Sequence, residues 1–266
     1  MSNNKRWGLI GLGMLTLTAT AAPNLSDPVL QDYIVDKRYS GYIVSIPETR
    51  TMQDDDFENP GFMWVDRGWE LWGKVEGKAG KSCASCHSEN PESLKGAATR
   101  HPKVIGGMLM TVEHRINQCR RANMQADEWK WESDEMLGMS ALIRLQSRGM
   151  PIDVEIDGEA ARFYNQGEKF YRQRRGVLDL ACLHCHELNH GNKIRSEVLS
   201  MGMPNGFPTY RLKWQKLGSL HRRFRGCNKN IRSEPYKAGS PVYTALELYL
   251  MSRAKGLPVE TPSVRK

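Results

Sequence analysis

The sequence predicts a mostly α-helical protein built from two tandem domains that are related by internal duplication. A Cys-x-x-Cys-His pentad occurs twice, beginning at Cys83 and at Cys182. Gly68 and Gly167 each stand fifteen positions before the first pentad cysteine, in segments rich in aromatic residues. Each half also carries one further cysteine, with an arginine four residues before it. Repetition at this spacing indicates two copies of one small domain.

The repeated pentad is the pattern of c-type haem attachment, in which both thiols form thioethers and the histidine binds iron. A zinc half-site or a redox pair that precedes a histidine is the alternative, and the second copy of the pentad argues against it. Each domain is therefore predicted to be a class I cytochrome c-like domain in which haem replaces much of the apolar core. The two covalently bound haem c groups would be held by Cys83, Cys86 and His87 in the first domain, and by Cys182, Cys185 and His186 in the second.

The first residues of the chain are expected to lie outside this fold. Residues 1–22 resemble a signal peptide, because Lys5 and Arg6 precede an apolar run at 7–17 and a small-residue cleavage pattern at 19–21. The apolar run is too short to span a bilayer comfortably, and no later segment resembles a transmembrane helix. We therefore predict a periplasmic protein without a membrane span.

The rest of the chain divides into two predicted units. Residues 23–155 would form an N-terminal extension plus the first cytochrome c domain, and 156–266 the second domain with the active site. The extension covers roughly 23–58 and ends in an acidic run. The formal charge of +8 indicates anionic partners or substrates. Export argues against nucleic acid as the partner.

Helices are predicted before each pentad and after each single cysteine. The later helix of each half should be amphipathic, since its apolar residues recur at helical spacing, and should stop at the Gly-x-Pro sequences 149–151 and 256–258. The apolar stripes consist of Met136, Met139 and Ile143 in the first half, and of Val242, Ala245, Leu246, Tyr249 and Leu250 in the second.

The two single cysteines, Cys119 and Cys227, are open to two interpretations. In an exported protein they could form a disulfide. Because they occupy corresponding positions in the repeat, we interpret them instead as the distal iron ligands of the two haems. Met203 is the main alternative ligand. The other methionines are expected in the core, and the remaining histidines at the surface.

Basic residues surround Cys227 in the sequence, with Arg222, Arg223 and Arg225 before it and Lys229 after it. A cationic shell favours the thiolate form of a cysteine. A solvated basic face is the alternative interpretation. Gly226 permits close backbone approach or a positive φ next to this sulfur.

The segment from Arg223 to Pro235, Arg-Phe-Arg-Gly-Cys-Asn-Lys-Asn-Ile-Arg-Ser-Glu-Pro, resembles the active-site segment of the SoxA family. SoxA proteins are the catalytic cytochrome subunits of thiosulfate-oxidising SoxAX complexes. The resemblance covers nearly the whole chain after residue 22, including both haem domains and both single cysteines. It implies that Cys227 is a haem ligand and the catalytic persulfide residue, and that Arg223 binds substrate. Lys229 is a second candidate contact, since a sulfur oxyanion requires Arg or Lys donors.

The resemblance further implies an L-cysteine S-thiosulfotransferase. Such an enzyme joins thiosulfate oxidatively to a cysteine of the carrier protein SoxYZ. Two electrons then pass through haem to the small mono-haem cytochrome SoxX, and onward to a soluble cytochrome c. A dihaem electron-transfer cytochrome without substrate chemistry and a thiosulfate dehydrogenase are the alternatives, because the cytochrome c fold alone does not decide function.

Overall fold

The computed structural model describes residues 25–266, so the predicted signal peptide lies outside the described residues. None of the helices in this range is long and apolar enough to cross a membrane. The α-helices are α1 (Pro47–Asp54), α2 (Phe62–Trp72), α3 (Ala84–His87), α4 (Val112–Cys119), α5 (Asp134–Leu145), α6 (Ala161–Arg172), α7 (Cys182–His186), α8 (Leu220–Asn230) and α9 (Pro241–Arg253). The strands are β1 (Ile34–Val35), β2 (Arg38–Tyr39), β3 (Lys103–Ile105), β4 (Met108–Met110), β5 (Lys193–Ile194), β6 (Glu197–Val198), β7 (Thr209–Arg211), β8 (Lys216–Gly218) and β9 (Ser263–Arg265).

Two pairs of crossed helices, α2 with α5 and α6 with α9, form the main packing contacts. The crossings depend on the two glycines that the sequence repeats. A Cβ atom added to Gly68 would lie 2.5 Å from the carbonyl oxygen of Gly138. A Cβ atom added to Gly167 would lie 2.1 Å from the carbonyl oxygen of Ala245. Because no side chain fits between the backbones, each helix pair packs in direct backbone contact.

Helices α5 and α9 confirm the predicted positions of the two later helices but are not amphipathic. Nine consecutive residues are buried in each, 136–144 in α5 and 243–251 in α9. The reason is that each helix is covered on several sides at once. Helix α5 packs against α2 and α4, and α9 packs against α6, α8 and β4.

A buried ionic network joins the two halves of the chain. A terminal nitrogen of Arg144 on α5 lies 3.4 Å from a carboxylate oxygen of Glu113 on α4 and 3.6 Å from one of Glu247 on α9. The other oxygen of Glu247 lies 3.1 Å from Nε2 of His221 on α8. The expectation of a surface position is wrong for His221, which is 1% exposed because the Trp131 ring stacks on it at 4.8 Å. It is also wrong for His101, which is 7% exposed and lies against the carbonyl oxygen of Ala97. The network therefore ties α4 and α8 to both helix pairs.

Short β-hairpins that the sequence did not predict precede α4 and α8. Strands β3 and β4 lead into α4, and β7 and β8 lead into α8, with antiparallel pairing in both hairpins. The side-chain oxygens of Thr111 and Ser219 then cap the two helices by accepting the backbone N–H groups of His114 and Arg222. The C-terminal tail forms β9, which pairs in parallel with β7.

The segment at residues 25–58 contacts both halves. The Arg38 guanidinium donates to the carbonyl oxygen of Arg253 at 2.8 Å. Asp56 forms an ion pair of 2.7 Å with Arg148. These contacts place the segment across the C-terminal helix of the second half and the chain that follows α5.

The α6–α9 crossing gives a test of the packing. We expect Gly167→Ala to lower the free energy of unfolding by about 1–3 kcal/mol, because its Cβ overlaps the backbone of α9. Gly73→Ala is the matched control, since nothing lies within 4 Å of a Cβ at that position. Urea unfolding of the haem-loaded protein measures both changes, and equal stability of the two variants would contradict the backbone contact.

Candidate haem and anion site

The two pentads form the short helices α3 and α7. One turn of helix places the two cysteines of each pentad on the same side, with the histidine next to them. Of the second pentad cysteines, Cys86 is exposed and Cys185 is half-buried. All six cysteines are free thiols, so Cys119 and Cys227 do not form the disulfide considered above.

In the second half, His186 is oriented for binding a metal through one nitrogen. Its Nδ1 lies 2.8 Å from the carbonyl oxygen of Ser200. A carbonyl oxygen can only accept, so Nδ1 carries the proton and Nε2 keeps its lone pair. The Cys227 thiol is close enough to the His186 side chain for a hydrogen bond. The two predicted iron ligands therefore lie next to each other, and an imidazole and a thiolate are donors that fit a haem iron.

The cysteine thiols of the two halves differ in how readily they ionise. Burial raises the pKa of the Cys83 and Cys182 thiols to about 11. Burial also acts to raise the pKa of Cys227, but the positive charge of Arg223 and the contact with His186 outweigh it. The pKa of Cys227 is therefore lowered to about 7. Cys227 is the sulfur that most easily becomes a thiolate ligand or nucleophile.

Helix α8 presents Arg223 and Cys227 together, because residues four positions apart lie on one face of a helix. Within residues 25–266 the Arg223 guanidinium makes no hydrogen bond, so its donors are available to a ligand. Gly226 has helical backbone, so its φ is not positive, and nothing lies within 4 Å of a Cβ placed there. It leaves open space on its own side of α8. Lys229 is exposed and lies about 200° around the helix from Cys227, so its role stays a prediction.

Two hairpins add charged residues that the sequence analysis missed. A terminal nitrogen of Arg211 lies 3.2 Å from a carboxylate oxygen of Glu197, and Lys213 forms an ion pair with the other oxygen. The positive charge of Arg223 acts to lower the pKa of both Arg211 and Glu197. Arg211 is far from Cys227 in sequence, and its charge acts on the Cys227 thiol because the hairpin β7–β8 positions it there. A comparison of the two halves could have found Arg211, since Ile105 occupies its position in the first hairpin.

The first half places Cys119 near the pentad cysteine Cys83, and Arg115 near the predicted ligand His87. Cys119 is the last residue of α4, with Arg115 four positions before it. The negative charge that Cys119 carries as a thiolate acts to raise the pKa of Cys83. Burial, followed by the nearby charge of Arg115, lowers the pKa of His87. Arg115, however, donates to the side chain of Gln118, so its guanidinium is engaged where that of Arg223 is not.

One alternative from the sequence is disfavoured by the packing. Met203 is buried in an apolar cluster that includes Ile152 and Leu248, which favours Cys227 as the partner of His186. Among the described residues no group of three or more His, Cys, Asp and Glu side chains could hold a metal ion.

Comparison with known proteins is consistent with this geometry. A family model described as the SoxA/TsdA cytochrome c domain matches residues 67–152. Over 232 residues the chain is 46% identical to the L-cysteine S-thiosulfotransferase subunit SoxA of Paracoccus pantotrophus, covering 86% of this chain and 80% of that protein. The chain belongs to the SoxA family.

Other SoxA proteins and a solved structure are also similar to this chain. The SoxA subunit of Rhodovulum sulfidophilum is 44% identical, with 86% of this chain and 81% of that protein covered. The SoxA subunit of Pseudaminobacter salicylatoxidans is 38% identical over 98% of this chain and 96% of that protein. A chain of the crystal structure of SoxXA from P. pantotrophus superposes with a TM-score of 0.85 at 45% identity, covering 90% of both chains. The cytochrome c-type fold and the resemblance to SoxA are thereby confirmed.

The free pentad cysteines lead to a prediction about haem content. We expect the mature protein to carry two covalent haems. Replacing Cys83 and Cys86 by Ala should remove one haem, and replacing Cys182 and Cys185 should remove the other. Intact mass after acid extraction of loose haem measures the count. Cys119→Ala is the control and should keep both haems, because this sulfur forms no thioether. A wild-type mass with one haem or none would overturn the prediction.

Proposed function

We propose that this protein is an L-cysteine S-thiosulfotransferase that joins thiosulfate to a cysteine of the carrier protein SoxYZ. The observation that carries the proposal is the arrangement of Cys227, which faces His186 and shares one face of α8 with an unengaged Arg223. A plain electron carrier needs no such anion donor beside an ionisable sulfur. The SoxA relatives, which are L-cysteine S-thiosulfotransferase subunits, support the same activity.

We propose that the protein consists of two tandem class I cytochrome c-like domains, related by duplication, with an N-terminal extension. The extension and first domain would cover 23–155, and the second domain 156–266. The repeated order of glycine-dependent helix crossing, pentad, hairpin, capped helix and single cysteine supports this division.

Each residue of the second-half site has a proposed role in holding the haem. Cys182 and Cys185 would hold a haem c covalently, with His186 and Cys227 as axial ligands. When bound, this haem supplies one-electron acceptance and an outlet for electrons to a partner cytochrome. The Nδ1–H group of His186 donates to the carbonyl oxygen of Ser200, which fixes the ring for its proposed role as ligand.

The substrate chemistry rests on Arg223 and Cys227. Thiosulfate is a dianion, and the Arg223 guanidinium offers paired hydrogen bonds to its oxygens, with Lys229 assisting. This orients the terminal sulfur toward Cys227. A new S–S bond then forms between that sulfur and the carrier cysteine, while two electrons and the thiol proton leave. The persulfide sulfur that the resemblance implies on Cys227 would stay on that residue through this step, which balances without it, and would move the reacting atom away from the iron.

The first half would hold a second covalent haem c through Cys83 and Cys86, with His87 and Cys119 as axial ligands. We assign no substrate to this half. The contact between Arg115 and Gln118 supports this assignment, because it occupies the guanidinium that corresponds to Arg223.

The partners follow from the proposed chemistry. A stable heterodimer with the small mono-haem cytochrome SoxX would accept the electrons, and the likeness of this chain to one chain of the SoxXA crystal structure supports such a complex. SoxYZ would supply the acceptor cysteine, and a soluble cytochrome c would receive the electrons from SoxX. We propose the periplasm as the location, on the basis of the signal peptide predicted at 1–22.

Two variants of α8 test the function. Arg223→Ala should keep both haems and slow the reaction about ten- to over a hundredfold, because a charge-assisted contact contributes about 1.5–3 kcal/mol. Cys227→Ala should abolish the reaction and alter the second haem. The measurement is the rate at which thiosulfate modifies the carrier cysteine, followed by mass.

Arg162→Ala is the matched control for these variants. Arg162 is exposed on α6 and donates only to the carbonyl oxygen of Gly107, so the rate should stay at the wild-type value. Wild-type conjugation by Cys227→Ala would refute the enzyme and leave an electron-transfer cytochrome. Release of a free small-molecule product, with no change of carrier mass, would favour a thiosulfate dehydrogenase.

A further inference from the structure

We propose that Arg211 is a second guanidinium of the thiosulfate site and that it gives this site its preference for a doubly charged anion. The inference rests on the proposed function and adds a residue from outside α8. Arg223 would bind the sulfonate oxygens from the helix, and Arg211 would bind them from the hairpin β7–β8.

Arg211 is rigidly held and largely buried. It is the last residue of β7 and is 8% exposed. Its Nε donates to the carbonyl oxygen of Lys266 at 2.8 Å, and Nη2 donates to Glu197 at 3.2 Å. The guanidinium also lies 5.1 Å from the centre of the Trp214 ring. Its third nitrogen, Nη1, makes no hydrogen bond within the described part of the chain, so one donor remains for a ligand.

The charges around Arg211 favour a dianion. Burial, followed by repulsion from Arg223, lowers the pKa of Arg211, while Glu197 and Cys227 act in the opposite direction. Two like charges held close together in a partly buried site are unfavourable until an anion lies between them. Arg211, Arg222, Arg223 and Lys213 are positive here and Glu197 and the Cys227 thiolate are negative, so the net charge of this region is positive. Thiosulfate carries two negative charges.

The first half lacks this arrangement. Ile105 occupies the position of Arg211, since each is the last residue of the first hairpin strand. Between α3 and β3 there are only 3₁₀ turns, whereas the second half has the hairpin β5–β6 with Glu197 between α7 and β7. A cytochrome c half therefore forms without Arg211. This comparison argues that Arg211 serves the chemistry of the second half and is not needed for the fold.

The open side of the site is compatible with an anion between the two guanidinium groups. Gly226 stands where the first half has Gln118, the residue that engages the corresponding arginine. With no side chain at that position, Arg223 lacks the contact that Gln118 makes with Arg115. A dianion would compensate more of the positive charge of this region than a monoanion would.

The test uses the haem-loaded heterodimer with its partner cytochrome. Thiosulfate binding is measured by calorimetry without carrier protein, and the KM for thiosulfate is measured with carrier. Arg211→Ile reproduces the first half and should weaken binding about ten- to a hundredfold and raise the KM similarly. Arg211→Lys keeps the positive charge but lacks the paired donors, so its affinity for thiosulfate should lie between that of Arg211→Ile and that of the wild type. The haem absorption spectrum should stay unchanged in both, which separates a substrate role from a structural one.

Arg162→Ile is the control for the loss of one positive charge, and its binding should match wild type. If both Arg211 variants bind thiosulfate like wild type while Arg223→Ala loses binding, Arg211 is outside the site and the proposed function stands. A changed haem spectrum in Arg211→Lys would also overturn the inference, because the role would then be structural. If the wild-type protein neither binds thiosulfate nor modifies the carrier, the proposed function itself fails.

Discussion

The contact between His186 and Cys227 is the interaction around which the second half is built. The two residues lie on separate helices, α7 and α8, so their meeting depends on what positions those helices. Helix α7 packs against α6, and α8 packs against α9. The α6–α9 crossing, with Gly167 in direct backbone contact with α9, thus brings the two predicted ligands close together. The Ser200 carbonyl then sets the ring, and the Ser219 cap sets the start of α8.

The same architecture occurs twice with different electrostatics. Both halves place an arginine and a cysteine on one helix face, yet Arg115 is engaged by Gln118 and Arg223 is not. A shared set of elements therefore provides the two proposed haem sites, while a few differences in one half provide the proposed anion site. The buried network through Arg144 and Glu247 connects the halves, which keeps both cysteine helices in place regardless of which one carries the chemistry.

Much of the site could be predicted from the sequence, because the pentads and the Arg-to-Cys spacing are local patterns within one helical turn or two. The repeat also predicted the four main helices. The hairpins were missed, since strands of three residues show too little alternation to be recognised. Arg211 and Glu197 were missed because only tertiary packing brings them to Cys227. The burial of His221 and of every face of α9 also depends on contacts between the halves, which periodicity within one helix does not reveal.

The most direct test is a crystal structure of the haem-loaded complex with SoxX, soaked with thiosulfate in the absence of the carrier. The account predicts one bound anion, with its oxygens on Arg223 and its terminal sulfur directed at Cys227, and none beside Arg115. Sulfur anomalous scattering would identify the orientation of the anion. Thiosulfate bound beside Arg115, or a site at Cys227 that stays without anion at saturating thiosulfate, would contradict the account.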